Sequence, residues 1–352
     1  MTETMWAGVY HGKGDVRVEK IAIPTITSNE VLVKVAVCGV CGTDLKKINF
    51  GLVPGPRVFG HETAGTIVKV GQHVKAWSVG DRVAVMHHIP CCRTSCRYCN
   101  HGDYAQCPTY KATGVTAGFE PAGGGYAEYV RVLPHCTEFG MVRIPDGKSF
   151  DAATLVEPVN TVVKGMRRIG VSRSDVVIVY GQGPIGLLIT RTASLMGARV
   201  VGVDPQPHRR NCSLEFGAEA SVYPSGMSDA LRQVGASEGA DIAVVAVPDT
   251  AILTSALQSV RRGGRVLLFA QTRMNDIINV DAGEVCVNEK SVIGSYSSDI
   301  SIQDEVAEMI WRGDYDVEKL ISHRYPLQDI NEALQIASSP TDGVLKVVVT
   351  VS

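Results

Sequence analysis

Residues 176–204 constrain the fold more tightly than any other part of the sequence. Val176-Val177-Ile178-Val179-Tyr180 is a continuous run of strand formers, Gly181-Gln182-Gly183-Pro184-Ile185-Gly186 is a glycine turn, and residues 187–196 carry helical periodicity. A second apolar run, residues 198–203, ends at Asp204. Strand, G-x-G-x-x-G turn, helix, strand and terminal acid predict a βαβ unit in a parallel sheet. The glycines let the backbone approach a pyrophosphate, which then lies at the positive end of the helix. Asp204 would accept hydrogen bonds from adenosine ribose hydroxyls and repel a 2′-phosphate, so the expected cofactor is NAD rather than NADP. Gly181, Gly183, Pro184, Ile185, Gly186 and Asp204 are the cofactor-binding candidates.

Further buried runs at residues 241–247, 265–270 and 291–296 alternate with helical segments and extend the unit into a doubly wound parallel sheet. The flanking sequence differs. Residues 6–37 and 65–85 hold short strand-like runs broken by Gly and Pro, which read as a small, partly closed β structure. Residues 303–312 and 329–338 read as amphipathic helices, followed by an apolar strand over residues 344–349. That last strand shares the character of the N-terminal region. The sheet of residues 157–296 is therefore expected to be an insertion between a catalytic domain, residues 1–156, and a C-terminal segment, residues 297–352, that returns to it.

Chemistry concentrates in Cys41-Gly42-Thr43-Asp44 and Gly60-His61-Glu62. Cys41, His61 and Glu62 offer S, N and O donors of the kinds Zn²⁺ accepts, and a catalytic zinc keeps three protein ligands with one open position. The rival reading is a buried, inert Cys41 and a satisfied core His61. Other zinc chemistry fits poorly: His61-Glu62 lacks the second histidine of H-E-x-x-H and the spacing of H-x-E.

Five of the ten cysteines lie between positions 91 and 107. Cys96, Cys99 and Cys107, with one of Cys91 or Cys92, supply four thiolates in a loop without a hydrophobic pattern, as a closed structural zinc requires. Basic and acidic residues nearly balance, 34 against 36. No basic run favours nucleic acid or a membrane surface, and no apolar run approaches the roughly 18 residues of a span. The N-terminus lacks the pattern of a signal peptide, so a cytoplasmic protein is expected.

These motifs, with Gly80-Asp81-Arg82-Val83, Gly124-Gly125-Tyr126-Ala127-Glu128-Tyr129 and Glu157-Pro158, occur in an order that resembles the zinc-dependent medium-chain alcohol dehydrogenases. The similarity is greatest to the sorbitol (polyol) and threonine dehydrogenase branch. It implies an α/β chain with a GroES-like β-rich catalytic domain and an inserted Rossmann domain, using one catalytic zinc, one structural zinc and NAD.

By the same resemblance Cys41 and His61 ligate the catalytic zinc, with Glu62 or Glu157 as the carboxylate contact, and Asp44 orients His61. Cys38 is taken as structural, and Arg209 packs near the adenosine moiety. Thr43 would accept the substrate's hydroxyl proton. The implied reaction is oxidation of a secondary alcohol in a polyol, cyclitol or sugar-derived substrate. Primary alcohols, aldehydes and threonine-type amino alcohols are the alternatives, and a non-catalytic NAD-binding sensor a further one. Residues 49–51 and 116–123 are expected to line the substrate pocket. A homodimer or homotetramer is implied, through edge strands near residues 291–296.

Two departures stand out. The first interval of the cysteine loop is longer than the usual C-x₂-C, leaving Cys91 and Cys92 both eligible. Lys46 also stands where many relatives carry a relay histidine, making it a catalytic candidate.

Overall fold

The computed structural model describes residues 3–86, 88–110, 123–270, 276–338 and 343–352. The chain divides into two units, one of Met1–Asn160 with Ser298–Ser352 and one of Thr161–Ser297.

In the first unit, strands Thr4–Gly12, Asp15–Ala22 and Arg57–Val58 form one antiparallel sheet. A larger sheet runs Ile321–Pro326, Lys346–Thr350, Val31–Gly39, Glu62–Val70, Arg82–Val85, Met141–Arg143, with Tyr129–Val132 also pairing Val31–Gly39. The C-terminal strand lies antiparallel to Val31–Gly39, Val349 opposite Cys38. Its apolar residues Val347 and Val349 join a core with Tyr10, Cys38, Phe59, Tyr126 and Ile330. Apolar burial of that kind favours the return of the chain's end to its beginning.

In the second unit every strand pair among the described residues is parallel. The order is Ala220–Val222, Arg199–Val203, Val176–Tyr180, Ala240–Val245, Val260–Leu268, Ser291–Gly294, the 3-2-1-4-5-6 arrangement of a doubly wound dinucleotide fold. All five residues of Val176–Tyr180 are buried, as its unbroken apolar run requires of a strand covered on both faces. Gly186 has a steric reason: a Cβ there would stand 1.8 Å from the Gly181 carbonyl oxygen.

Some elements differ from the sequence reading. The segment after Cys41 forms a nine-residue helix, Gly42–Phe50, ended by Gly51 at φ 65°. Strand Ile321–Pro326 and helix Pro134–Phe139 carry no clear period and were not expected.

Candidate active site

Three neighbouring chain segments bring the donor groups together. Strand Val31–Gly39 is followed by Val40 and then Cys41, which caps helix Gly42–Phe50 and accepts at its sulfur from the Thr43 N–H at 3.5 Å. Glu62 opens the adjacent strand directly opposite Gly39. The carboxylate packs so closely there that a Cβ on Gly39 would lie 1.9 Å from Glu62 Oε2. His61 precedes it, and one donor atom each of Cys41, His61 and Glu62 lies within 4.8 Å of the others.

Asp44, fully buried in the helix's first turn, places Oδ1 3.1 Å from His61 Nδ1. That contact fixes the ring and leaves Nε2 as the atom for a metal. Burial opposes charge on His61, but Asp44 and Cys41 beside it hold its pKa well above the usual value. The pocket therefore stabilises positive charge, which a bound Zn²⁺ would supply with the S, N and O donors it prefers. The residues fit that ion.

Lys346 was not singled out by its sequence. It opens the C-terminal strand, is 5% exposed, donates to the Val40 carbonyl at 3.0 Å and forms an ion pair with Glu62. Burial lowers its pKa, but Glu62, Cys41 and Glu157 bring it above the usual value, so the lysine is a buried cation. A lysine in the apolar run Val344-Leu345-Lys346-Val347-Val348-Val349 was the available signal, since buried lysines require a partner.

Glu157, in the first turn of helix Val156–Ile169, is 7% exposed and stands outside the converging trio. Burial pushes its carboxyl up to about 7; His61 and Lys346 oppose the shift while Glu62 and Asp44 add to it. Its folded pKa exceeds the ordinary carboxyl value, so its contribution to stability is present below about pH 4.5 and is lost as pH rises towards about 7. Metal-free protein should lose thermal stability across that window more steeply than metal-free Glu157→Gln, as read by Tm against pH. Equal slopes would refute the assignment.

The loop after Ile89 forms a second cluster. Cys91, Cys96, Cys99 and Cys107 place their sulfurs within 4.8 Å of one another. Cys91 and Cys99 are 3.7 Å apart and Cys96 and Cys107 are 3.9 Å apart, against about 3.8 Å for the edge of a tetrahedron with Zn–S bonds of about 2.3 Å. Burial raises Cys107, but the Thr109 hydroxyl and the Cys91 N–H draw it down to about 6. Burial and the neighbouring thiols Cys96 and Cys91 push Cys99 up to about 12. Four thiolates cannot share this space without a cation. Cys92 is the correction: an exposed residue at φ 50°, it turns its thiol to the Pro90 carbonyl at 3.5 Å and takes no part in the cluster.

In the second unit Gly181 and the N-cap Gly183 lead into helix Pro184–Leu195, whose first turn holds Pro184, Ile185 and Gly186. Asp204 accepts at Oδ2 from the Gln182 N–H and at Oδ1 from the Gln206 N–H, both at 2.8 Å. Arg209 lies over the turn, Nη1 3.7 Å from where a Cβ on Gly183 would stand. Lys46 sits half-buried one turn beyond Thr43 on helix Gly42–Phe50. Phe50 is exposed at the end of that helix. Residues 116–122, expected to line the substrate pocket, lie outside the described residues. Cys38 is fully buried, and burial pushes its thiol up to about 12, consistent with a core residue.

Residues 27–146 match the family described as alcohol dehydrogenase GroES-like domain, and residues 184–312 that described as zinc-binding dehydrogenase. A sorbitol dehydrogenase of Bombyx mori is 30% identical over 352 residues, covering 96% of this chain and 97% of the relative. The chain belongs to the zinc-dependent medium-chain alcohol dehydrogenase family. Within that family, an L-threonine 3-dehydrogenase of Colwellia psychrerythraea is also 30% identical, covering 91% of this chain and 92% of the relative. A zinc-binding dehydrogenase of Sinorhizobium meliloti, solved bound to NADP, superposes with a TM-score of 0.88 at 26% identity, with 99% of each chain covered. The protein is thus an oxidoreductase of the zinc-containing alcohol and polyol dehydrogenase type, with a GroES-like and a Rossmann domain. No described helix is long and apolar enough to cross a membrane.

Proposed function

We propose that this protein oxidises a secondary alcohol of a polyol, cyclitol or sugar-derived substrate to a ketone, with NAD as hydride acceptor. The convergence of Cys41, His61 and Glu62 on one point carries the reading. A bound zinc would supply Lewis-acid chemistry there, lowering the pKa of a substrate hydroxyl. Cys41 and His61 hold the ion, and Glu62 or Glu157 provides the carboxylate contact. Lys346 offsets the negative charge of Glu62. Thr43, on the first turn of the helix that Cys41 caps, takes the hydroxyl proton and passes it towards solvent. Lys46, one turn on, stands where it can extend that proton path in place of a histidine.

The second zinc belongs to Cys91, Cys96, Cys99 and Cys107, and holds their loop in shape. Gly181, Gly183, Pro184, Ile185 and Gly186 receive the pyrophosphate, Arg209 lies on the adenosine side, and Asp204 selects NAD over the NADP bound by the Sinorhizobium relative. None of the ten cysteines is in a disulfide, which suits the reducing cytoplasm. The edge strand Ser291–Gly294, with Val292 exposed, is a pairing edge for a homodimer or homotetramer.

The test is a panel of polyols, cyclitols, sugar acids, threonine and simple primary and secondary alcohols, each with NAD and NADP, followed by absorbance of the reduced cofactor. Turnover of polyols or cyclitols with NAD supports the reading; turnover confined to threonine or primary alcohols refutes the substrate class. Asp204→Ala should reduce the NAD-over-NADP preference in kcat/KM by about tenfold or more, equivalent to roughly 1.4 kcal/mol of lost discrimination. A preference for NADP in the unsubstituted protein would overturn the role of Asp204.

A further inference from the structure

We infer that the Tyr126 hydroxyl is a positioning group for the catalytic metal, acting through Asp44 on His61; this rests on the zinc reading proposed above. Asp44 is fully buried, and a buried carboxylate needs partners for both oxygens. Oδ1 meets His61 Nδ1 at 3.1 Å. Oδ2 meets the Tyr126 hydroxyl at 3.3 Å, and that hydroxyl is equally 3.3 Å from the Gly39 carbonyl oxygen. The hydroxyl thus reaches the residue opposite Glu62 as well as the acid behind His61.

The ring has little freedom to do otherwise. The Tyr126 N–H donates to the Phe59 carbonyl at 3.0 Å, its carbonyl accepts from the Gly8 N–H at 2.8 Å, and its side chain is 1% exposed. Burial and the Asp44 charge hold the phenol well above its ordinary pKa, so it stays a donor. A phenylalanine would fill the same apolar space among Cys38, Phe59 and Val349. What the tyrosine adds is one O–H within reach of both the second oxygen of Asp44 and the Gly39 carbonyl, of which the carboxylate, being charged, is the stronger acceptor. Without it the carboxylate keeps its contact with His61 but is less firmly held, and the imidazole loses part of its fixed orientation.

The test is metal release from the fully zinc-loaded protein under excess chelator, with the cysteine cluster as internal control. In Tyr126→Phe the catalytic metal should leave about five- to tenfold faster, below the 10–100-fold of a direct partner of a ligating histidine, with release from the cysteine cluster unchanged. A cobalt-substituted catalytic site should show an altered visible spectrum in the variant. In an Asp44→Asn background the same substitution should have much less effect, because the two groups act as one unit. Unchanged release in Tyr126→Phe, equal acceleration at both sites, or full additivity with Asp44→Asn would overturn the inference alone. If the unsubstituted protein binds no metal beyond the cysteine cluster, the zinc reading fails and this inference fails with it.

Discussion

Replacing His61 with alanine is expected to lower kcat/KM by about 10³-fold or more, since a Lewis acid supplies several kcal/mol and each 1.4 kcal/mol or so is a factor of ten. The variant should also bind one metal ion fewer per chain while keeping that of the cysteine cluster. His61 is the only imidazole of the converging trio, and Asp44 and Cys41 beside it favour positive charge at its position. Cys41→Ser should behave similarly, because a hydroxyl is a poorer zinc ligand than a thiolate. Steady-state kinetics with metal analysis checks both. A His61→Ala protein with normal turnover would remove the metal from the chemistry.

Breaking the cysteine cluster should act on stability instead. Cys107→Ser removes a thiol whose pKa burial raises but the Thr109 hydroxyl it meets and the Cys91 N–H it accepts from draw down. Structural zinc contributes folding free energy outright, and a loss of about 3 kcal/mol would lower Tm by roughly 6–12 °C in a unit of this size. Cys92→Ser should shift Tm by less than about 1 °C, because a thiol turned to the Pro90 carbonyl on an exposed residue contributes little. Calorimetry of the two variants side by side separates the neighbouring cysteines. Equal destabilisation by both would mean that Cys92 shares the metal.

Much of this was legible in the sequence where local chemistry fixes the outcome. The run Val176–Tyr180, its glycine turn and Asp204 needed no tertiary information, because a buried parallel strand and a phosphate turn carry their own signatures. Cys41, His61 and Glu62 were legible as donor types, although only pairing of Gly39 with Glu62 shows how they meet. Tyr126 was legible only as part of the motif Gly124-Gly125-Tyr126, without its contact to Asp44, and Lys346 was not: the lysine is 284 positions from Glu62, and its contact exists only once the final strand pairs with Val31–Gly39. The choice between Cys91 and Cys92 was hidden for another reason. Spacing counts residues, whereas the direction of each thiol depends on a left-handed backbone at Cys92. Strand Ile321–Pro326 escaped notice because Ser, His and Arg interrupt its apolar period.

The most direct test of the whole account is metal removal and restoration during NAD reduction by a polyol substrate. Prolonged chelation should abolish turnover in parallel with loss of the metal held by Cys41 and His61, and one added zinc per chain should restore it. The contradicting result is a protein freed of that metal, shown so by metal analysis, that still reduces NAD at its original rate.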